Sequence, residues 1–186
     1  VNLANHTLQL VNQSFAQTSI NISIPDNSTI TKPIHILLLT EDNLDINDLN
    51  SAWLINPQIN INLGKQSQAQ VIFHACLNGK NNLWQNANCK ITCENNSNLE
   101  YTLLQHGNST GLQTVTTQIN LAKNSNVNSQ LITYGNPATR TEIQVNMPEA
   151  GAEYNLACLV LAQHKAIQDI NLHINHDAKH TSSNTI

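Results

Sequence analysis

The stretch INLAKNSNVNSQL, from Ile119 to Leu131, alternates apolar and polar residues, breaks at a short polar patch and then alternates again. Alternation with a period of two is the pattern of a β-strand with one buried face, because successive side chains point to opposite sides of a strand. The patch in the middle, AKNSN, has the composition of a tight turn. This stretch therefore predicts a strand, a turn and a second strand.

Nearly the same arrangement recurs along the chain. Further copies begin at Ile61 (INLGKQSQAQV), Ile91 (ITCENNSNLEY) and Ile143 (IQVNMPEAGAEY). Aligned on the small residue of the turn, the copies centre on Ser67, Ser97, Ser125 and Ala150, with a weaker copy at Ser28. The intervals among the four clear copies, about 25 to 30 residues, are typical of solenoids and other repeat arrays. The chain is therefore predicted to stack similar units.

A right-handed parallel β-helix fits this interval better than a propeller, whose blades need four strands and usually about 40 residues. Each coil would stack on the last at about 4.8 Å, and crossover connections between parallel strands are generally right-handed. We expect an all-β, single-domain solenoid over residues 1–186, with an irregular surface loop at about 41–56. Four sets of apolar residues should form interior ladders, in stacking order Ile61, Leu63, Ala69 and Val71; Ile91, Cys93, Leu99 and Tyr101; Ile119, Leu121, Val127 and Ser129; Ile143, Val145, Ala152 and Tyr154.

Asparagine supplies about one residue in six, and a β-helix gives this residue two roles. Tight corners often need a positive φ, which Asn tolerates better than most residues. Asn27, Asn96 and Asn124 each stand just before the small residue of a turn. Stacked Asn amides can also bond the coil above and below. We expect both uses of Asn in this chain.

The composition excludes several classes of partner. Charged residues make up 11% of the chain and the formal net charge is −4, so no basic stripe is available for nucleic acid. No stretch approaches the roughly 18 apolar residues of a membrane span, and no signal peptide opens the chain. The first residue is Val1 and the only methionine is Met147, so we expect a piece of a longer protein.

The four cysteines stand at positions 76, 89, 93 and 158. If Cys89 and Cys93 share a strand, they point the same way at a separation of roughly 13 Å. That distance is too long for a disulfide or for one metal ion. We expect free, buried thiols in a reducing compartment.

Among the eight histidines, His173, His176 and His180 are the candidates for a metal site. On a strand, His173 and His176 face opposite sides, so a shared metal ion requires the chain to turn at Asn175. The alternative makes His176 an interior side chain that is hydrogen-bonded to an adjacent coil. We predict this second role, with no catalytic residue, no cofactor-binding residue and no metal site.

Signals for catalysis are few. No glycine-rich phosphate loop and no H-E-x-x-H motif occurs in the sequence. Carbohydrate-degrading β-helices line Asp, Lys and Arg along one face, whereas here half of the six Asp residues lie at 42–48 and Arg140 is the single arginine. We therefore predict that the chain is not an enzyme.

The segment from Arg140 to Asn184, RTEIQVNMPEAGAEYNLACLVLAQHKAIQDINLHINHDAKHTSSN, contains an ordered combination of residues. An Arg, an alternating strand, a Gly-Ala pair, a second strand, a Gln/Asp segment and a His-rich stretch ending in Ser follow one another. This order resembles the core of the SufB/SufD family, the scaffold proteins of the Suf iron–sulfur cluster assembly system, and the HxxxHxxS ending favours SufD. KPIHILLL, NPQININLGKQSQAQVIFH and NSNLEYTLLQ are similar to earlier coils of that family. The matching residues are Arg140, Gly151, Ala152, Asp169, His176 and Ser183.

Three positions depart from the family pattern. Gln58 stands where the family often has Arg after Pro57, and Lys179 and Thr181 stand where Pro and Cys are common. A thiol role in the final stretch is therefore not carried over to this chain.

The resemblance implies a cytoplasmic, non-enzymatic scaffold that pairs with SufB, while helical domains outside the β-helix engage the ATPase SufC. It also implies that a Cys–Ser–His stretch near the partner interface helps to hold the nascent cluster. We expect that stretch and the helical domains to be absent here, so that the parent SufBCD complex handles the cluster and ATP and this chain holds no cofactor. A second copy of the chain is a further partner to consider. The alternative function is a secreted β-solenoid adhesin or carbohydrate-binding protein, because the repeat alone does not separate the two.

Overall fold

A computed structural model of the chain describes residues 7–41, 52–79, 82–107, 110–163 and 165–186. Within these ranges the chain forms one short helix and thirteen strands. The elements are α1 (Thr7–Phe15), β1 (Thr18–Ile24), β2 (Ile34–Glu41), β3 (Ala52–Ile55), β4 (Pro57–Leu63), β5 (Gln68–Asn78), β6 (Asn82–Cys93), β7 (Asn98–Gly107), β8 (Leu112–Leu121), β9 (Asn126–Tyr134), β10 (Ala138–Met147), β11 (Glu153–Leu161), β12 (Ile167–His176) and β13 (Ser182–Thr185).

The strands form two sheets, and successive coils add one strand to each. Sheet A has the order β1-β4-β6-β8-β10-β12, with β3 also paired to β6, and sheet B has the order β13-β11-β9-β7-β5-β2. Every strand pairing in the described part of the chain is parallel. The predicted parallel β-solenoid is therefore confirmed, and its right hand stays a prediction.

The repeat also sets the register of the central coils. Ile61 pairs with Ile91, and Ile91 pairs with Ile119. All three side chains are fully buried, so they form a continuous interior ladder. In sheet B the equivalent ladder runs through Val71, Tyr101 and Ser129, again with inward-facing side chains.

The predicted register of the last copy is wrong by two residues. Ile119 pairs with Val145, not with Ile143, and Val127 pairs with Tyr154, not with Ala152. The reason lies at the corner, where Gly151 has a φ of 78° and takes the place that Asn124 has in the preceding coil. The buried small residue of this turn is therefore Ala152. A shift of two keeps every side chain on its predicted face, because the strand period is also two.

The structure of the corners explains why a small residue recurs in each turn. Ser67, Ser97 and Ser125 are fully buried, and each hydroxyl donates to the carbonyl oxygen three residues earlier at 2.7 Å. The residue before each serine has a positive φ: 56° at Gln66, 58° at Asn96 and 54° at Asn124. The predicted left-handed corner asparagines are confirmed at positions 27, 96 and 124.

Side-chain amides stack along the coils, as predicted from the asparagine content. Asn124 donates to Asn96 at 3.2 Å beside the turns. On sheet A, Asn175 donates to Asn146 at 2.8 Å, and Asn146 in turn donates to Asn120 at 3.0 Å. These ladders give the side-chain amides hydrogen-bond partners on adjacent coils.

Two features differ from the sequence-based expectations. Helix α1 packs on sheet A through the buried Asn12, whose amide donates to the carbonyl oxygens of Pro57 at 3.0 Å and Asn86 at 2.6 Å. Most of the loop expected at about 41–56 falls on residues 42–51, which lie outside the described residues. Its last part is instead strand β3, because the apolar run of Ala52–Ile55 extends sheet A against β6. No helix in the described ranges has the length and apolar character needed to cross a membrane.

Candidate metal centre

The three C-terminal histidines do not come together in space. His173 lies on β12 and is exposed, and His180 occupies a corner with a φ of 60°. His176 bonds Thr181 Oγ1 through Nδ1 at 2.8 Å and Ser183 Oγ through Nε2 at 3.0 Å. Among the described residues, they form no group of ligand atoms close enough to share a metal ion.

The expectation that His176 is an interior side chain is wrong, because it is exposed. It has the inward parity and pairs with Met147, which is fully buried. However, β12 is the outermost described strand of sheet A, so no further strand of this sheet covers the ring. Its hydrogen bonds go to its own coil instead.

A different group of ligands lies on the outer face of sheet B. Two parallel rows of outward-facing side chains cross this sheet from β2 to β11, each residue paired in register with the next. The first outer row is Leu37, His74, Leu104, Ile132 and Leu159. The second outer row is Leu39, Cys76, His106, Tyr134 and Leu161.

His74, Cys76 and His106 meet where the two rows run side by side. His74 and Cys76 are two residues apart on β5, so they project from the same face, and His106 on β7 is the register partner of Cys76. Their ligand atoms all lie within 4.8 Å of one another. The described part of the chain holds no other group of three or more His, Cys, Asp or Glu residues with this arrangement.

The two rings and the thiol are already in contact. His74 Nε2 lies 2.8 Å from His106 Nδ1, which requires one nitrogen to carry the hydrogen and the other to accept it. His106 Nε2 lies 3.7 Å from Cys76 Sγ. His106 therefore turns one nitrogen to each of the other two side chains.

Aromatic neighbours hold both imidazoles in place. The rings of His35 and His74 are stacked with centroids 5.6 Å apart and an interplanar angle of 4°. On the other side, His106 stacks on Tyr134 with centroids 5.0 Å apart. A column of four rings thus crosses the sheet, with the pair His74–His106 at its centre, 4.7 Å between centroids.

Burial favours the neutral forms of His74 and Cys76. Burial lowers the pKa of His74, and the neighbouring His106 and His35 lower it further. Burial also raises the pKa of the Cys76 thiol, and the Glu41 carboxylate adds to the increase, while a hydrogen bond with Asn78 opposes it. A neutral imidazole has a lone pair free for a metal ion, and a thiol becomes a ligand by losing its proton.

The remaining thiols are separate from this group, and all four cysteines are free. Cys89 and Cys93 lie on β6 and point the same way, as predicted from their spacing, and both are buried, as expected. Burial raises the pKa of each of these two thiols to about 12. Cys158 is half-buried on β11 and belongs to neither outer row.

One short stretch of the sequence matches a motif known from catalytic sites. Residues 107–111, GNSTG, match the G-x-S-x-G pattern of the nucleophile elbow of α/β-hydrolases. That elbow joins a strand to a helix, whereas this segment joins strands β7 and β8. Residues 108 and 109 lie outside the described residues, so the motif remains a match in sequence alone.

Four of the residues that carry the family resemblance contact one another in two pairs, Arg140 with Asp169 and His176 with Ser183. Arg140 forms ion pairs with Asp169 and Glu142, each at 2.7 Å. The Arg140–Asp169 ion pair joins two register partners of strands β10 and β12, whereas Glu142 lies on β10 with Arg140. His176 and Ser183 are hydrogen-bonded, as given above. The ordered combination of residues thus reflects the way in which the last coils are tied together.

The comparisons with known proteins identify a family for this chain. A family model described as "SUF system FeS cluster assembly, SufBD core domain" matches residues 46–186. No curated protein and no solved structure matches significantly. The matched region contains every coil from β4 onward, and it argues against the adhesin alternative. The chain belongs to the SufBD core domain family of the SUF iron–sulfur cluster assembly system.

Proposed function

We propose that this chain is a SufD-type, non-catalytic scaffold that pairs with SufB and works with the SufC ATPase in the cytoplasm. The observation that carries this proposal is the family match over residues 46–186, which spans the coils of the solenoid rather than one short motif. The HxxxHxxS ending, in which His176 bonds Ser183, supports the SufD side of the family.

The outer face of sheet B is the surface that we assign to SufB. Large apolar side chains lie exposed at both ends of the two outer rows: Leu37 is 53% exposed and Leu39 47%, while Leu159 is 51% and Leu161 50%. Neither row contains a Lys, Arg, Asp or Glu residue. Exposed apolar side chains on a surface poor in charge are typical of protein interaction sites.

Co-expression with SufB and SufC of the same organism tests the pairing. We expect the three chains to elute together in size-exclusion chromatography. Leu159→Glu places a carboxylate in the proposed contact and should release the chain from SufB. The matched control is Asn62→Glu, which adds the same charge to an exposed position of sheet A and should leave the complex intact.

If SufB and SufC associate with each other but never with this chain, the proposal is wrong. Elution of this chain as a stable homodimer that excludes SufB would also contradict it. The chain alone should neither hydrolyse ATP nor retain a reconstituted iron–sulfur cluster after desalting. ATP turnover by the purified chain would show that the scaffold assignment is incomplete.

A further inference from the structure

The group His74, Cys76 and His106 has the composition of a transition-metal site. Two imidazole nitrogens and one thiolate suit divalent ions of borderline softness such as Zn²⁺ and Fe²⁺. Three protein ligands leave a fourth coordination position open, as in sites that exchange a ligand rather than purely structural ones. The chemistry of the donors therefore points to one ion with a fourth position that these three residues do not fill.

The geometry requires only small movements. In a tetrahedral site with bonds of about 2.0 and 2.3 Å, a nitrogen and a sulfur ligand lie about 3.5 Å apart, and two nitrogens about 3.3 Å. Cys76 Sγ and His106 Nε2 are 3.7 Å apart, which already matches. The ligand atoms of the group span at most 4.8 Å, so His74 Nε2 reaches the same ion by a small ring movement.

The surroundings restrict the movement of both rings, and Cys76 itself is buried. Stacking on His35 and on Tyr134 keeps both imidazoles upright on the sheet. The β5–β7 pairing fixes the distance between the two strands, since every residue from Gln68 to Leu77 is in register with β7. Preorganised ligands lose little freedom when they bind an ion.

We propose that His74, Cys76 and His106 bind one divalent first-row transition-metal ion through two imidazole nitrogens and the thiolate, with the fourth position open to an exogenous ligand. This site differs from the C-terminal histidines that the sequence suggested. It arises from the repeat, because the sheet brings together residues of two successive coils. It lies within the surface that we assign to SufB, so its test uses the chain alone.

Cobalt binding to the untagged, reduced chain under anaerobic conditions tests the proposal. We expect one Co²⁺ per chain, a strong thiolate-to-cobalt charge-transfer band in the near ultraviolet, and visible bands of tetrahedral intensity. Zn²⁺ should remove these bands one for one. Cys76→Ser should abolish the charge-transfer band, and His106→Gln should weaken Co²⁺ binding.

Two controls separate this site from adventitious binding. Cys158→Ser removes a half-buried thiol outside the group, and His173→Gln removes an exposed histidine, so both should bind Co²⁺ like the native chain. If Cys76→Ser fails to fold, as judged by circular dichroism, Zn²⁺ protection of Cys76 against alkylation in the native chain provides a second measurement. A native chain without the charge-transfer band, a band that persists in folded Cys76→Ser, or an unprotected Cys76 would overturn the proposal.

Discussion

Gln113 lies directly above Gln85 inside the solenoid, and its side-chain amide donates to Gln85 Oε1 at 2.7 Å. Both side chains are fully buried. Gln85 donates in turn to Thr40 Oγ1 at 2.8 Å, and Gln113 accepts from Asn136 Nδ2 at 2.9 Å. The interior thus contains a polar run across several coils beside its aliphatic ladders.

Replacing Gln113 by Leu should lower the free energy of unfolding by at least about 2 kcal/mol. The change removes the partners of Gln85 Oε1 and Asn136 Nδ2 and of the Ala75 carbonyl, to which Gln113 donates at 2.9 Å. An unpaired buried polar group costs about 1–3 kcal/mol. Urea unfolding measures the effect, with the exposed Gln130→Leu as control. A variant as stable as the native chain would show that these bonds are not formed.

The corner at Gln66 offers a stabilising substitution. Gln66 has a φ of 56°, in a column where the neighbouring coils use Asn27 and Asn96. Because Asn tolerates this conformation better, Gln66→Asn should raise the free energy of unfolding by up to about 1 kcal/mol. The reverse change, Asn96→Gln, should lower it, and should also break the bond from Asn124. Equal thermal midpoints for the two variants would contradict this account of the corners.

The four thiols should differ in reactivity. Cys158 is half-buried beside a shallow pocket of about 220 Å³, whereas Cys89 and Cys93 are at most 1% exposed. Titration of the native, metal-free chain with a thiol reagent should therefore modify Cys158 first and Cys76 next. Cys89 and Cys93 should react only on unfolding. Cys158→Ser should remove the fastest phase, and fast modification of all four thiols would show an open interior.

Alkaline pH should destabilise the fold through the two interior thiols. Their pKa is about 12 in the folded chain, against an ordinary value of 9.0. The unfolded chain therefore loses these protons first, so their contribution is complete below about pH 9 and is lost as the pH rises towards 12. Each thiol should contribute a slope of about 1.4 kcal/mol per pH unit within that window. Urea midpoints measured from pH 8 to 11 check this, and Cys89→Ala should flatten the decline. An unchanged slope in that variant would mean that Cys89 ionises in the folded chain.

The fold could be predicted from two periods in the sequence. Apolar residues alternate with a period of two within each strand, and the strand–turn–strand unit recurs about every 28 residues. Ile61, Ile91 and Ile119 could be aligned by eye, and they do stack. The register of the last copy could not, since Ala150 and Ala152 are both small and only the φ of Gly151 decides between them. Strand β3 and helix α1 lie outside the repeat, so its period says nothing about them.

The metal-ligand group was missed for a related reason. The histidines at 173, 176 and 180 are close in sequence, but a strand separates neighbours rather than gathering them. Cys76 and His106 each stand nine residues after the serine of their turn, Ser67 and Ser97. If the repeat alignment is extended from these serines along the following strands, it places the two residues side by side. In a stacked array, residues that are one repeat apart in the sequence become neighbours on adjacent coils.

The buried run from Thr40 through Gln85 and Gln113 to Asn136 has a consequence for how the coils find their order. Isoleucine, leucine and valine ladders would accept almost any neighbouring coil, so an array of near-copies can skip one and still bury its apolar side chains. Gln113 is different, because it finds its partners only when the coil carrying Gln85 lies on one side and Asn136 on the other. A skipped coil would leave these buried amides without hydrogen-bond partners. The polar run therefore favours the correct order of coils in an otherwise repetitive chain. Misassembled stacks that the aliphatic ladders would tolerate leave buried amides unpaired, which is unfavourable.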